Sequence, residues 1–281
     1  MRTRRKRRGN RLFRGLIGLA LLALFLLYFT ALANIVWKGL GGLLSNVADP
    51  EIVFAIRLSL FTSVTATLIC LLFALPAAYG LVRFRIPGKK GIQILLNIPI
   101  ALPPLVSGVA LLMLFATTPL GETLARWGLQ FVFSVRGIIL AQFFIITPYM
   151  IRILKAAFED IDPRLEFVAR TLGCTQWQAF YKVALPIAKN GILAALVISW
   201  SRAIGEFGCA LMVAGATRLV TETLPVALYL NMSIGNLDTA MGAATWLILI
   251  SIGSLFIFEW AGGRSGPASR ANIKKEVAGR L

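Results

Sequence analysis

A helix needs about 20 consecutive apolar residues to cross the roughly 30 Å hydrocarbon of a bilayer, and this chain meets that condition repeatedly. No charged residue occurs from Gly15 to Trp37, from Leu58 to Val82, or from Gly91 to Gly121. Gly137 to Ile151 is short by itself, but Arg136, Arg152 and Lys155 at its ends can snorkel to the interface and extend it. Asn190 to Thr217 is interrupted only by Arg202 and Glu206, and Thr239 to Phe258 is uncharged. Charged residues make up 15% of the 281, against roughly 25% in soluble domains. Such a chain is neither disordered nor an ordinary soluble enzyme. The expected fold is an all-α integral membrane protein with six transmembrane helices, over 15–37, 58–82, 91–116, 135–155, 190–215 and 239–259. Basic tails are expected at 1–14 and 261–281, and a core holding the last five spans at 54–260.

The net charge of +17 would suggest nucleic acid in a soluble protein, but here it reads as topology. With the N-terminus in the cytoplasm, the inner segments 1–14, 83–90, 152–189 and 264–281 hold nearly all the Lys and Arg. The outer segments hold only Lys38, Arg57, Arg126, Arg136 and Arg218, matched by Asp49, Glu51, Glu122, Glu222 and Asp238. This is the positive-inside asymmetry, with both termini cytoplasmic in a multi-pass protein of the cell membrane. No nucleic-acid partner is needed. The first span carries a basic leader and the triplet Ala31-Leu32-Ala33, as a signal peptide would. Its 23 uncharged residues exceed the usual 7–15 of such a region, and it is read as a retained anchor.

Chemistry has few candidates. There is no His, hence neither the commonest general base nor the commonest metal ligand. Cys70, Cys174 and Cys209 lie far apart and fit no disulfide or zinc pattern. No GxxxxGK[ST] phosphate loop occurs. The only inner loop long enough for structure of its own is 159–186. Asp162-Pro163 reads as a helix start, and Leu165, Val168, Ala169 and Leu172 follow at helical spacing. Gly173 closes that helix. Thr175 caps a second short helix, Gln176 to Val183, which presents Trp177, Phe180 and Tyr181. Leu185-Pro186 is expected to end it before the fifth span.

The spacing of Ala169, Gly173, nine residues, Val183, Ala184 and Leu185-Pro186 resembles the cytoplasmic "EAA" loop of permease subunits in ATP-binding-cassette importers. The family's Glu falls on Phe167, with Glu166 one position early, and its first Ala on Val168. Ile98 to Gly108, containing Pro103-Pro104, resembles the third-helix motif of oxyanion permeases. Ser201 to Gly208 followed by Leu211 to Gly215 is similar to the fifth-helix motif of molybdate, tungstate and sulfate permeases, and Thr221 to Tyr229 is closer to the molybdate and tungstate members. The resemblance implies a type I importer permease fold, working as a homodimer with a cytosolic ATPase dimer and an external substrate-binding protein. It implies that ATP and Mg are bound by the ATPase, with no cofactor on this chain. Glu166, Ala169, Gly173, Cys174, Thr175, Gln176, Trp177, Phe180, Leu185 and Pro186 are then the ATPase-coupling residues.

Arg202 and Glu206 stand four apart on one helix face, where an acid–base pair forms. At membrane depth a charge costs at least about 2.5–3.5 kcal/mol, so they face protein or a pathway. Two readings stay open: a pathway or gate residue pair, or a pair locking helix packing. Pro76, Pro99, Pro103, Pro104 and Pro148 bend or break spans, for a pathway or merely for fit. Gly205, Gly208, Gly215, Gly242 and Ala243 suit close helix packing. Leu224 to Asn231 is too short to span, and reads as a re-entrant or surface element or a plain external loop.

The function expected is non-catalytic: the membrane pore subunit of an ATP-driven importer for molybdate or tungstate, with sulfate or thiosulfate next. An ion-coupled transporter acting alone is the alternative from another class. A membrane enzyme lacks both His and a convergent acidic cluster.

Overall fold

The computed structural model describes residues 2–46 and 49–262; the expected tail lies, beyond Gly262, outside them. Among the described residues every regular element is helical. Five helices are long and apolar enough to cross a membrane: Phe13–Leu40 within α1 (Arg2–Asn46), α2 (Pro50–Arg83), α6 (Val135–Glu159), the continuous run Gln176–Ile204, and Leu237–Ser254 within α12 (Leu237–Gly262).

The stretch expected as one span over 91–116 is broken. It forms α3 (Lys89–Ala101) and α4 (Pro104–Thr117), bent 115° from each other. A residue preceding proline is pushed out of the helical region. Leu102 precedes Pro103 and Pro103 precedes Pro104, so two successive residues are extended, at ψ 143° and 136°. Pro104 then starts α4, where its missing N–H costs nothing. A short amphipathic α5 (Pro119–Arg126) follows.

The fifth span also ends before its apolar pattern does. It stops at Ile204, and α10 (Gly208–Ala214) begins separately. The Glu206 carboxylate accepts the Cys209 N–H at 3.0 Å, capping α10 and ending the helix that periodicity would have continued to 215.

Leu185-Pro186 does not end a helix. α8 (Gln176–Ala179) passes through a π turn, Phe180–Ala184, into α9 (Leu185–Ile204). The Leu185 N–H reaches five residues back, to Phe180 O. The proline ring would clash with the preceding turn of a regular helix, and the wider π turn beneath it relieves this.

Two short loop elements carry the remaining packing. α7 (Pro163–Thr171) precedes α8, and α11 (Leu224–Ser233) precedes α12. The stretch 224–231 is therefore a helix, with Leu224, Val226, Ala227 and Asn231 buried, and not a plain external loop. It packs on α2 and α12 around Ile52, Ala55 and Ala243.

The bundle is built on α2, α6 and α9, which pack mutually, with α12 joining α9 to α11 and α1. Along the interface Cys70, Ala74 and Ala78 of α2 meet Ile146, Met150 and Leu154 of α6 and Ala188 and Ala195 of α9. Alanines at these positions bring the helices close, which in lipid substitutes for a hydrophobic driving force. Trp200 donates its ring N–H to Ser63 Oγ at 3.0 Å, satisfying a polar group that bilayer core would not.

Candidate functional site

The loop between α6 and α9 holds its shape through local signals. Asp162 Oδ1 accepts the Arg164 N–H at 2.9 Å, with Pro163 at the first helical position. α7 ends in a Schellman motif. Gly173 N–H donates to Arg170 O and Cys174 N–H to Ala169 O, both at 3.1 Å. Gly173 sits at φ +95°, a conformation open to glycine and costly to other residues. Thr175 and Gln178 then form a reciprocal capping box, at 2.8 and 3.2 Å, which satisfies two amides at the start of α8.

The faces of α7 are inverted relative to a helix lying on its own core. Leu165, Phe167, Val168 and Leu172 are exposed, Leu172 by 81%. Trp177 of α8 is 69% exposed beside them. The buried residue of α7 is a charged one: Glu166 is 7% exposed. Its Oε2 accepts the Tyr79 hydroxyl at 2.5 Å and its Oε1 the Arg83 Nε at 2.7 Å. Arg83 Nη2 also donates to Ile161 O at 3.0 Å. Beneath this pair Tyr79 packs on Phe158 and Phe180, with ring centroids 5.4 and 4.5 Å apart, and Phe180 on Trp177. A cavity of about 300 Å³ beside Glu166 is edged by Arg164 and Arg170. The loop is thus a firm base with an apolar outer face.

Of the coupling residues expected, Glu166 and Phe180 lie in the base and Trp177 on the outer face. Ala169, Gly173, Cys174, Thr175 and Gln176 form the turn and caps, while Leu185 and Pro186 lie within the continuous helix. Tyr79, Arg83 and Phe158 were missed by sequence reasoning. Tyr79 and Arg83 do stand four apart near the end of α2, a pairing that could have been asked for its acidic partner.

Arg202 and Glu206 form an ion pair at 2.9 Å, the Glu side chain 1% exposed and the Arg 34%. With its bond to Cys209 N–H, Glu206 ties the end of α9 to the start of α10. The two helix breaks also meet. A Cβ on Gly208 would lie 3.1 Å from Pro104 Cβ, and one on Gly108 would lie 2.8 Å from Cys209 O. Pro103-Pro104 and Arg202–Glu206, both read from sequence as pathway or packing residues, mark adjacent discontinuities of α4 and α10.

At the opposite end of α2 a second polar cluster forms. Arg218 pairs with Glu51 Oε2, and Asn231 Nδ2 donates to Glu51 Oε1 at 2.8 Å. Glu222, wholly buried, accepts the Leu219 N–H at 2.9 Å. Burial first, then the neighbouring Glu51, pushes the Glu222 carboxyl up to about 7. Among the described residues no three His, Cys, Asp or Glu side chains gather as a metal site would require.

A helical bundle of broken spans, with an anchored apolar loop between two of them, defines a multi-pass membrane transport permease. The chain belongs to the family of binding-protein-dependent transport system inner membrane components, whose model matches residues 70–267. It is 36% identical to the molybdenum transport system permease protein ModB of Escherichia coli K12, over 83% of this chain and 99% of that one. It is 34% identical to the molybdate/tungstate permease WtpB of Thermococcus kodakarensis, over 79% and 83%, and 30% identical to the sulfate permease CysT of E. coli K12, over 78% and 80%. Among solved structures, a bacterial ABC transporter involved in alginate import aligns with a TM-score of 0.68 at 16% identity, covering 94% of this chain and 98% of that one. The MetNI methionine transporter in an inward-facing conformation gives 0.56 at 18%, covering 76% and 94%. The fold is that of a type I ABC importer permease, and the family is the oxyanion one. Its members are transport components rather than catalysts.

Proposed function

We propose that this chain is the pore subunit of an ATP-driven importer for molybdate or tungstate. It works as a homodimer, receives the oxyanion from an external binding protein, and is powered by a cytosolic ATPase dimer that carries ATP and Mg. Both termini and the 159–186 loop face the cytoplasm, where the inner segments collect their Lys and Arg. The observation that carries the reading is the outer face of α7 and α8. Phe167, Leu172 and Trp177 lie exposed on a base that is itself locked. An exposed apolar patch on a rigid support marks an interaction surface, and covering each of these side chains is worth up to about 1.5–3 kcal/mol before the costs of association. ATP-driven closure of the ATPases then moves the loop, and with it the helices it is built on, between inward-facing and outward-facing arrangements.

Similarity to the molybdate and tungstate permeases supports the cargo. Sulfate is the second reading, because a sulfate permease matches at 30% over a comparable length. The test is purification of the chain from its native membrane in mild detergent, followed by uptake of molybdate, tungstate and sulfate in proteoliposomes. Co-purification of an ATPase with ATP-dependent molybdate or tungstate uptake is expected. A chain recovered alone that moves ions without ATP overturns the proposal.

A further inference from the structure

The docking loop is covalently continuous with α6 and α9, but α2 is joined to it only through side chains. Those side chains are few, buried and directional. Both carboxylate oxygens of Glu166 are taken by α2, one by Tyr79 and one by Arg83, and Arg83 also holds Ile161 O in the α6–α7 link. The side chains of the ion pair are 12% and 9% exposed, so solvent and salt screen it little. The Tyr79 ring is wedged against Phe158 and Phe180. Movement of α7 therefore carries the end of α2 with it.

α2 runs 34 residues from there, about 50 Å at 1.5 Å per residue. At its far end it is again held by polar side chains rather than by chain continuity. Glu51 takes Asn231 of α11 and Arg218 of the preceding loop, and Ser59 Oγ accepts the Leu224 N–H at the start of α11 at 2.8 Å. One helix thus has specific joints to the docking loop at one end and to the 218–231 segment at the other.

We propose that α2 is a rod that couples the docking loop to the 218–231 segment on the opposite face, with Arg83–Glu166–Tyr79 as one joint and Glu51–Arg218–Asn231 with Ser59 as the other. Its residues are positioning residues. The inference rests on the docking reading above and adds the route by which docking is felt across the membrane. Two joints in series make a specific demand: breaking either uncouples the route, and breaking both does no more than breaking one.

The experiment uses the full chain with its co-purified ATPase and binding protein in proteoliposomes, with tungstate as cargo. Uptake per ATP hydrolysed is measured for wild type, Arg83→Gln, Arg83→Lys, Tyr79→Phe, Glu51→Gln and the Arg83→Gln/Glu51→Gln pair. We expect Arg83→Gln and Glu51→Gln each to lower the ratio at least fivefold. The double variant should fall no further, Arg83→Lys should recover part of the loss, and Tyr79→Phe, the mildest change, should lower the ratio less in the same direction. An unchanged ratio in Arg83→Gln and Tyr79→Phe overturns the rod, as does a double variant whose losses multiply. If Arg83→Gln fails to assemble, Tyr79→Phe and Glu51→Gln decide by the same ratio. A wild-type chain that brings down no ATPase overturns the docking reading and the rod together. One that does, with the ratio unmoved by these variants, overturns the rod alone.

Discussion

Glu222 illustrates how much a single side chain depends on its surroundings. In the sequence it is one of several acids balancing bases outside the membrane. In the fold it is wholly buried between α2 and the 215–223 loop, where Glu51 and Arg218 are the charged groups acting on it. Burial and the Glu51 carboxylate raise its pKa from 4.5 to about 7. Between those values the native carboxyl keeps a proton that an unfolded one has lost. Its contribution to stability is therefore fully present at low pH, declines as pH rises from about 4.5 to 7, and changes no further above. Glu222→Gln keeps an acceptor for the Leu219 N–H and removes the titration. In detergent, wild type should lose more thermal stability than Glu222→Gln between pH 5 and pH 8. Parallel pH curves for the two proteins would refute the assignment.

At the scale of elements, legibility followed locality. The Asp162-Pro163 start, the Gly173 stop and the Thr175 cap of the 159–186 loop were readable because each is decided within five residues of chain. The π turn at Phe180–Ala184 was not, because Leu185-Pro186 reads locally as a stop and only the packing of Phe180 and Ala184 holds the helix through it. The end of α9 at Ile204 was missed for a related reason: the apolar pattern, broken only by Arg202 and Glu206, continues to 217, and the bond from the Cys209 N–H to the Glu206 carboxylate interrupts it. The turn itself can be tested. Nothing lies within 4 Å of a Cβ placed on Gly173, so Gly173→Ala costs only backbone strain, about 1–2 kcal/mol at this left-handed φ. Gly173→Asp adds a charge to the apolar outer face of the loop, and deletion of 176–180 removes α8. Uptake should fall in that order, to nothing in the deletion, with membrane insertion intact in all three. Full uptake in the deletion would exclude the loop from coupling.

For the whole molecule, the three cysteines form a ready topological probe. Cys70 and Cys209 are buried and Cys174 is partly exposed on the 159–186 loop. With the loop on the inner face, a membrane-impermeant maleimide should leave the chain unlabelled in sealed cells and label it once, at Cys174, in inside-out vesicles. Labelling in sealed cells would reverse the orientation argued from the Lys and Arg distribution.

The run of uncharged stretches determined the class of architecture, because a chain crosses a bilayer only as helices or as a closed barrel, and stretches of about 20 apolar residues have the length of a helix and not of a barrel strand. The charge asymmetry pointed to the orientation, and the loop spacing with the motifs at 98–108 and 201–215 to the family, from sequence alone. What the tertiary structure decided is where long-range partners meet. Glu166 is buried on an arginine 83 residues away, and the half-buried Glu51 is met by an asparagine 180 residues away. Periodicity records which face of a helix is apolar, but not which distant polar group satisfies a buried one. That pairing exists only once the helices are packed.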